Sequence, residues 1–245
     1  MKRRSVLAGI AATFTAGCSK IGESRAFSGL VDIAENAHRG AHRLLGGRNA
    51  MAREYSVADI SPFFRGNGTV DIDTDAYRAH QASDFSEWRV RVGGLVERPL
   101  NLSLAELRAL PQRIQITRHD CVEGWSAIGQ WTGPQLSTIL REAGLRPEAR
   151  YIVFRCADRL YGADYYESCD LDDAFHPQTI LAHQLNGEPL PVRNGAPLRL
   201  RLERQLGYKH AKYLTGIEAV ANFEDIAGGR GGFWQDRGYQ WYAGI

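Results

Sequence analysis

The chain has 245 residues, 44% of them hydrophobic and 24% charged, with a formal net charge of +2 from 30 basic and 28 acidic residues. This is ordinary globular composition, sufficient for one large domain or two small ones and for a core that needs no staples. No block of like charge favours nucleic acid or a polybasic membrane contact, no apolar run of about 18 residues can span a bilayer, and four cysteines, at 18, 121, 156 and 169, are too few for a disulfide scaffold.

The first residues read as an address. Met1-Lys2-Arg3-Arg4 is a basic start, and Val6 to Ala16 is short, apolar and small, the size of a signal core. The adjacent arginines resemble a twin-arginine signal, which exports folded proteins and implies a periplasmic location. Thr15-Ala16-Gly17-Cys18 resembles a lipobox with Thr15 where Leu is usual, so lipid anchoring at Cys18 and plain cleavage nearby both stay open. Cleavage there would leave 27 basic against 28 acidic residues, a near-neutral chain without an electrostatic partner.

Residues 19–60 read as an arm or tether. Val31 to Leu45 has helical spacing, stopped by Gly46-Gly47, with His38 and His42 at i and i+4 but no third ligand nearby, so a solvated face is expected. Beyond Ile60, Trp88 to Val92 alternates as a strand ending at Gly93-Gly94. Ser103 and Glu106 form a capping box for a short helix stopped by Pro111. Arg113 to Thr117 is a strand that delivers the chain to Cys121 just past it. Pro134 to Ala143 is a helix with Pro in its first turn and Gly144 as its cap. Tyr151–Ala157 and Tyr165–Leu171 can pair as a hairpin around Gly162. Asp172 to Leu185 is predicted helical, kinked or restarted at Pro177, before the Asn186-Gly187 turn. Leu198 to Leu202 and Tyr213 to Val220 are strands. Strands and short helices without a βαβ rhythm predict an α+β fold with mainly mixed or antiparallel sheets. The tail, 226–245, carries Gly228-Gly229-Arg230-Gly231-Gly232 and then Phe233, Trp234, Tyr239, Trp241 and Tyr242, aromatics expected to pack on their own domain.

Phosphate-loop, dinucleotide, HExxH, CxxC and Gly-x-Ser-x-Gly motifs are absent. What stands out is Thr117-Arg118-His119-Asp120-Cys121-Val122-Glu123-Gly124-Trp125-Ser126. Arg118 and His119 would favour a Cys121 thiolate while Asp120 and Glu123 oppose it, so an inert buried thiol and a reactive or ligating one both remain open. Arg118 also suits an anion, and His119 either supports the site or fills the core. Arg201 and Arg204 read as surface or interface partners, and Lys209 can point outward along its stem.

Cys121-Val122-Glu123-Gly124-Trp125-Ser126 followed by Trp131-Thr132-Gly133 resembles the signature of the sulfite oxidase-like molybdenum enzymes. The resemblance continues in His176 to Ala182, Asn186 to Pro191, Asn194 to Leu200 and Gly207 to Lys212, and covers about residues 60–225, with wording close to the periplasmic methionine sulfoxide reductase branch. It implies a molybdopterin-binding catalytic domain over 61–225 without an immunoglobulin-like dimerisation domain. It implies a molybdenum-molybdopterin cofactor whose metal takes the Cys121 thiolate, a soft ligand for such a site. Asn194, Arg199, His210, Ala211 and Lys212 match pterin- and phosphate-binding positions, chemistry that suits an anion. Phe64-Arg65-Gly66-Asn67-Gly68 stands where the family has an Asn-bearing loop, so Asn67 and, with less support, Arg65 match cofactor contacts. Cys156 replaces a cofactor-contacting Thr of the methionine sulfoxide branch.

The implied activity is oxygen-atom transfer with two electrons on a small-molecule substrate, sulfite-like or sulfoxide-like, with Cys121, Arg118 and His119 as catalytic candidates. Without a haem-attachment motif the chain holds no haem, so a separate electron-transfer partner, a cytochrome or membrane haem protein, is implied. A non-catalytic cofactor-bearing assembly protein and an exported thiol enzyme using Cys121 remain alternatives. Cys156 and Cys169 are close enough in the expected hairpin for a disulfide, but a one-residue slip would part them.

Overall fold

The computed structural model describes residues 25–47 and 50–245; the signal-like start and Cys18 lie outside the described residues. The chain divides into two units, 1–48 and 49–245. In the first, helix α1 (Arg25–Gly46) begins earlier than its apolar spacing predicts, and His38 and His42 do lie side by side, ring centroids 4.9 Å apart. Among the described residues no cluster of three metal-ligating side chains forms, and no helix is long and apolar enough to cross a membrane.

The second unit is built on three sheets. After α2 (Asp75–Ala82), β1 (Arg89–Gly94), β2 (Leu100–Ser103) and α3 (Leu104–Ala109), the long strands β3 (Gln112–Cys121) and β4 (Trp125–Pro134) form a hairpin. The Ser103–Glu106 capping box opens α3 as expected. Helix α4 (Leu136–Ala143) follows, capped by Gly144 at φ 70°; Pro134 closes β4 rather than opening the helix. Then come β5 (Tyr151–Leu160), β6 (Ala163–Asp170), the single turn α5 (Leu171–Ala174), β7 (Ile180–Ala182), β8 (Gln184–Leu185), β9 (Glu188–Pro189), β10 (Arg199–Arg201) and β11 (Leu214–Val220). Strand orders are β2-β1-β11-β5-β6, β10-β7 and β3-β4-β8-β9; among the described strands β1–β11 is the one parallel pair. This is the expected α+β architecture.

The helix predicted over 172–185 is the largest departure. Only Leu171–Ala174 is helical. Pro177 offers no amide to continue it, and Ile180-Leu181-Ala182 is wholly buried, paired antiparallel to β10. A short apolar run fits a buried strand as well as a helix.

The main core packs α3, α4 and the inner face of the five-stranded sheet, with Leu107, Ile139, Leu140, Ile152 and Ile217 at 0–1% exposure. A smaller cluster under β4 joins Phe64, Trp131 and Ile180. A third is aromatic: Phe233 of the tail packs on Val153, Tyr165 and Tyr166.

Candidate active site

Strand β3 sets the site by simple alternation. Gln115, Thr117, His119 and Cys121 point inward and are buried, while Arg118 faces out, as a period of two requires. Cys121 ends the strand, 8% exposed, and lines a pocket of about 180 Å³ together with Asn67, Glu123, His210, Lys212 and Trp234. Arg118, a catalytic candidate from sequence, is not brought there: its guanidinium sits on the outer face and its Nε donates to Asp120 over 2.9 Å. Arg65 is likewise exposed, its contribution being a backbone carbonyl that accepts from Asn194 Nδ2 at 3.1 Å.

Five wholly or largely buried cations lie in this unit, of which Lys212 lines the pocket, and they fall into two kinds. Arg201, expected at the surface, is 0% exposed and paired with Glu203 at 2.6 Å; its Nη1 also donates to His119 Nδ1 over 2.9 Å. Lys209, expected to point outward, is buried against Glu167 at 2.6 Å. Arg204 is mostly buried, 3.6 Å from Asp173. In contrast, among the described residues Arg199 and Lys212 form no ion pair with a carboxylate. Arg199, 0% exposed, donates Nη1 to Asn194 O at 2.9 Å and Nη2 to His210 O at 3.3 Å, and its Nε has no partner. Lys212 Nζ donates to the carbonyls of Asn67 at 2.6 Å and Arg193 at 3.2 Å, and to that of Thr69. Burial, with Arg201 alongside, brings the Arg199 pKa down to about 9, and burial beside Arg199 brings Lys212 down to about 7. Two cations held this way, one with an unused N–H, constitute a cradle for an anion.

Trp131 of the Trp-Thr-Gly motif explains how guanidinium groups tolerate this burial. Arg199 and Arg201 lie over its ring at 5.1 and 4.3 Å, within cation–π range. Gly133 is needed because a Cβ there would stand 2.0 Å from Leu181 O.

His119 is kept neutral by burial and by the charges of its neighbours. Since Arg201 can only donate, the His119 proton sits on Nε2, which is buried without a partner. Gly207 makes room for it: a Cβ there would lie 2.5 Å from Nε2. His210, also held neutral by burial, completes the contact with ring centroids 5.0 Å from His119. Ala211 is buried at 1% and its carbonyl accepts from Leu200 N over 2.8 Å. Tyr213, directly after Lys212, takes φ 53°, a conformation that costs a non-glycine residue about 1–2 kcal/mol.

Cys121, Cys156 and Cys169 are free. Cys169 faces Ile152 across the β5–β6 hairpin, four residues along the strand from Cys156, so the disulfide does not form. Burial pushes the thiols of Cys156 and Cys121 up. A raised Cys121 pKa is the reverse of what a thiol nucleophile requires, whereas a metal ion can displace the proton.

Sequence reasoning missed Arg201, Lys209, Glu167 and Glu203 as buried pairs, and Trp234, Tyr239, Asp158 and Glu123 as pocket walls. The alternation of Leu198 to Leu202 was the available signal: it puts Arg199 and Arg201 on one face.

The chain matches the family described as oxidoreductase molybdopterin binding domain over residues 77–225. It is 44% identical over 161 residues to YedZ1 of Azospira oryzae, provisionally named a protein-methionine-sulfoxide reductase subunit, covering 66% of this chain and 57% of that protein. It is 38% identical over 165 residues to MsrP of Xanthomonas axonopodis pv. citri, named a protein-methionine-sulfoxide reductase catalytic subunit, covering 63% and 51%. The chain thus spans little more than half the length of these relatives. The sulfane dehydrogenase SoxCD of Paracoccus pantotrophus shares the fold, with a TM-score of 0.52 at 22% identity over 56% of this chain and 39% of that one.

Proposed function

The chain belongs to the oxidoreductase molybdopterin-binding domain family, and from that premise we propose that it is an exported molybdenum enzyme that removes the oxygen atom of an organic sulfoxide. The reaction consumes two electrons and two protons and releases the sulfide and water. A separate electron carrier, a cytochrome or membrane haem protein, supplies the electrons. When bound, the cofactor supplies a metal that exchanges an oxygen atom and two electrons.

The observation that carries this reading is the contrast among the buried cations. Arg201 and Lys209 have their carboxylates; among the described residues Arg199 and Lys212 hydrogen-bond to carbonyls and pair with no carboxylate. An anionic phosphate fits that pair, and the Cys121 thiolate fits a soft metal. In this reading Asn194 and His210 orient Arg199 through their carbonyls, Asn67 orients Lys212, and His119 offers the Nε2 proton as a fixed donor. The sulfoxide direction is supported by the MsrP relatives, which are named protein-methionine-sulfoxide reductase catalytic subunits. The twin-arginine-like start supports export.

The test is turnover of molybdenum-loaded protein with a reduced dye as donor and sulfoxides, N-oxides or, in the reverse sense, sulfite. Sulfoxide reduction outpacing both other reactions is expected. Sulfite oxidation as the fastest reaction would overturn the direction, and metal-loaded protein inert to all would favour the assembly-protein alternative.

A further inference from the structure

One wall of the Cys121 pocket comes from Trp234 and Tyr239, beyond the residues matched to the family. The segment bearing them is fixed. The Asp236 carboxylate accepts from the N–H groups of Gly228 and Arg230, each over 3.0 Å, and from the Tyr166 hydroxyl over 2.7 Å. Gln235 donates to Glu167 over 3.2 Å, the same carboxylate that pairs with Lys209. Phe233 stacks on Tyr165 with centroids 5.3 Å apart. Between these anchors the rings of Trp234 and Tyr239 lie 5.1 Å apart, and Tyr239 meets Tyr208 edge-on at 5.3 Å. Trp234 is half-buried and Tyr239 is 38% exposed, so both keep open surface.

The remaining lining has a matching character. Apart from His210 and Lys212, assigned above to the cofactor side, the pocket presents Val122, Leu160 and the acids Glu123 and Asp158, with no further cation among the described lining residues. An oxyanion would face carboxyl groups and aromatic rings there, without a counter-charge, in a partly desolvated space. A neutral sulfur compound would meet faces that sulfur and methyl groups pack against favourably.

We propose that Trp234 and Tyr239 are the substrate-side wall of this pocket and select a neutral organic sulfur substrate over an oxyanion such as sulfite. The proposal deepens the activity proposed above and rests on it. In molybdenum-loaded protein with a reduced dye as donor, Trp234→Ala should raise KM for methionine sulfoxide about tenfold while kcat stays within about twofold, the scale of lost aromatic contacts. Trp234→Phe should retain most of the affinity, and molybdenum content should equal that of the wild type. Unchanged KM in both Trp234→Ala and Tyr239→Ala, or activity lost in proportion to molybdenum, would overturn it. If the wild type reduces no sulfoxide, the activity reading has failed, and the wall is decided by calorimetric binding to the same loaded proteins. Methionine sulfoxide binding tighter than sulfite, and about tenfold weaker in Trp234→Ala, would uphold the wall. Tighter sulfite, or binding of neither, would refute it.

Discussion

Arg199 and Arg201 lie two residues apart on one face of β10, both wholly buried and both over Trp131, yet only Arg201 has an internal carboxylate. Removing Arg199 should therefore lower pterin and molybdenum content severalfold in the protein that folds, and it should also cost about 1–3 kcal/mol of stability, because the buried carbonyls of Asn194 and His210 lose their donor. The exposed Arg159→Ala serves as the control, and equal cofactor content in the two variants would contradict the cradle. Arg201→Ala is a poor control, since it strands Glu203 and should cost about 3–5 kcal/mol. Lys212 gives a pH signature. Its pKa is about 7 in the folded chain, lowered by burial from 10.5, so between those pH values the unfolded chain binds the extra proton and stability rises with pH. The melting temperature of cofactor-free protein should climb from pH 7 to about pH 9, and Lys212→Met should flatten that climb; an identical pH profile in both would contradict the assignment. The motif wording pointed to Cys121, Arg199 and Lys212 directly. It could not reveal that Arg201 and Lys209 are buried, because Lys209 is neutralised by Glu167, 42 residues away in sequence and delivered by β6.

At the scale of elements, alternation was the most legible signal. It located β3, β10 and β11 and, read strictly, separates Cys121 and His119 from Arg118. It failed over 172–185, where a fully buried three-residue strand has no alternation to show. The tail was legible as a packed aromatic segment, but its place beside Cys121 follows from long-range anchors. Its glycines wrap the Asp236 carboxylate, which accepts three hydrogen bonds. Asp236→Ala should cost about 1–3 kcal/mol, lowering the melting temperature by about 2–4 °C per kcal/mol. An unchanged melting temperature would mean that the clip does not hold the segment.

For the whole molecule, the fold and its family were accessible from motif order along residues 60–225, since a site assembled from several strands leaves its residues in a fixed sequence order. The proposed export rests on the first residues alone. Arg3→Lys with Arg4→Lys should abolish export, measured by fractionation of cells making the full chain; unchanged export would point to a different route and remove the argument that the protein is folded around its cofactor before it crosses. The central claim concerns the bond between this chain and the metal. X-ray absorption at the molybdenum edge reads that bond directly in loaded wild type and Cys121→Ser. The account predicts one fewer sulfur neighbour at the metal in the variant, with pterin content preserved by Arg199 and Lys212. The same number of sulfur neighbours in both proteins would contradict it.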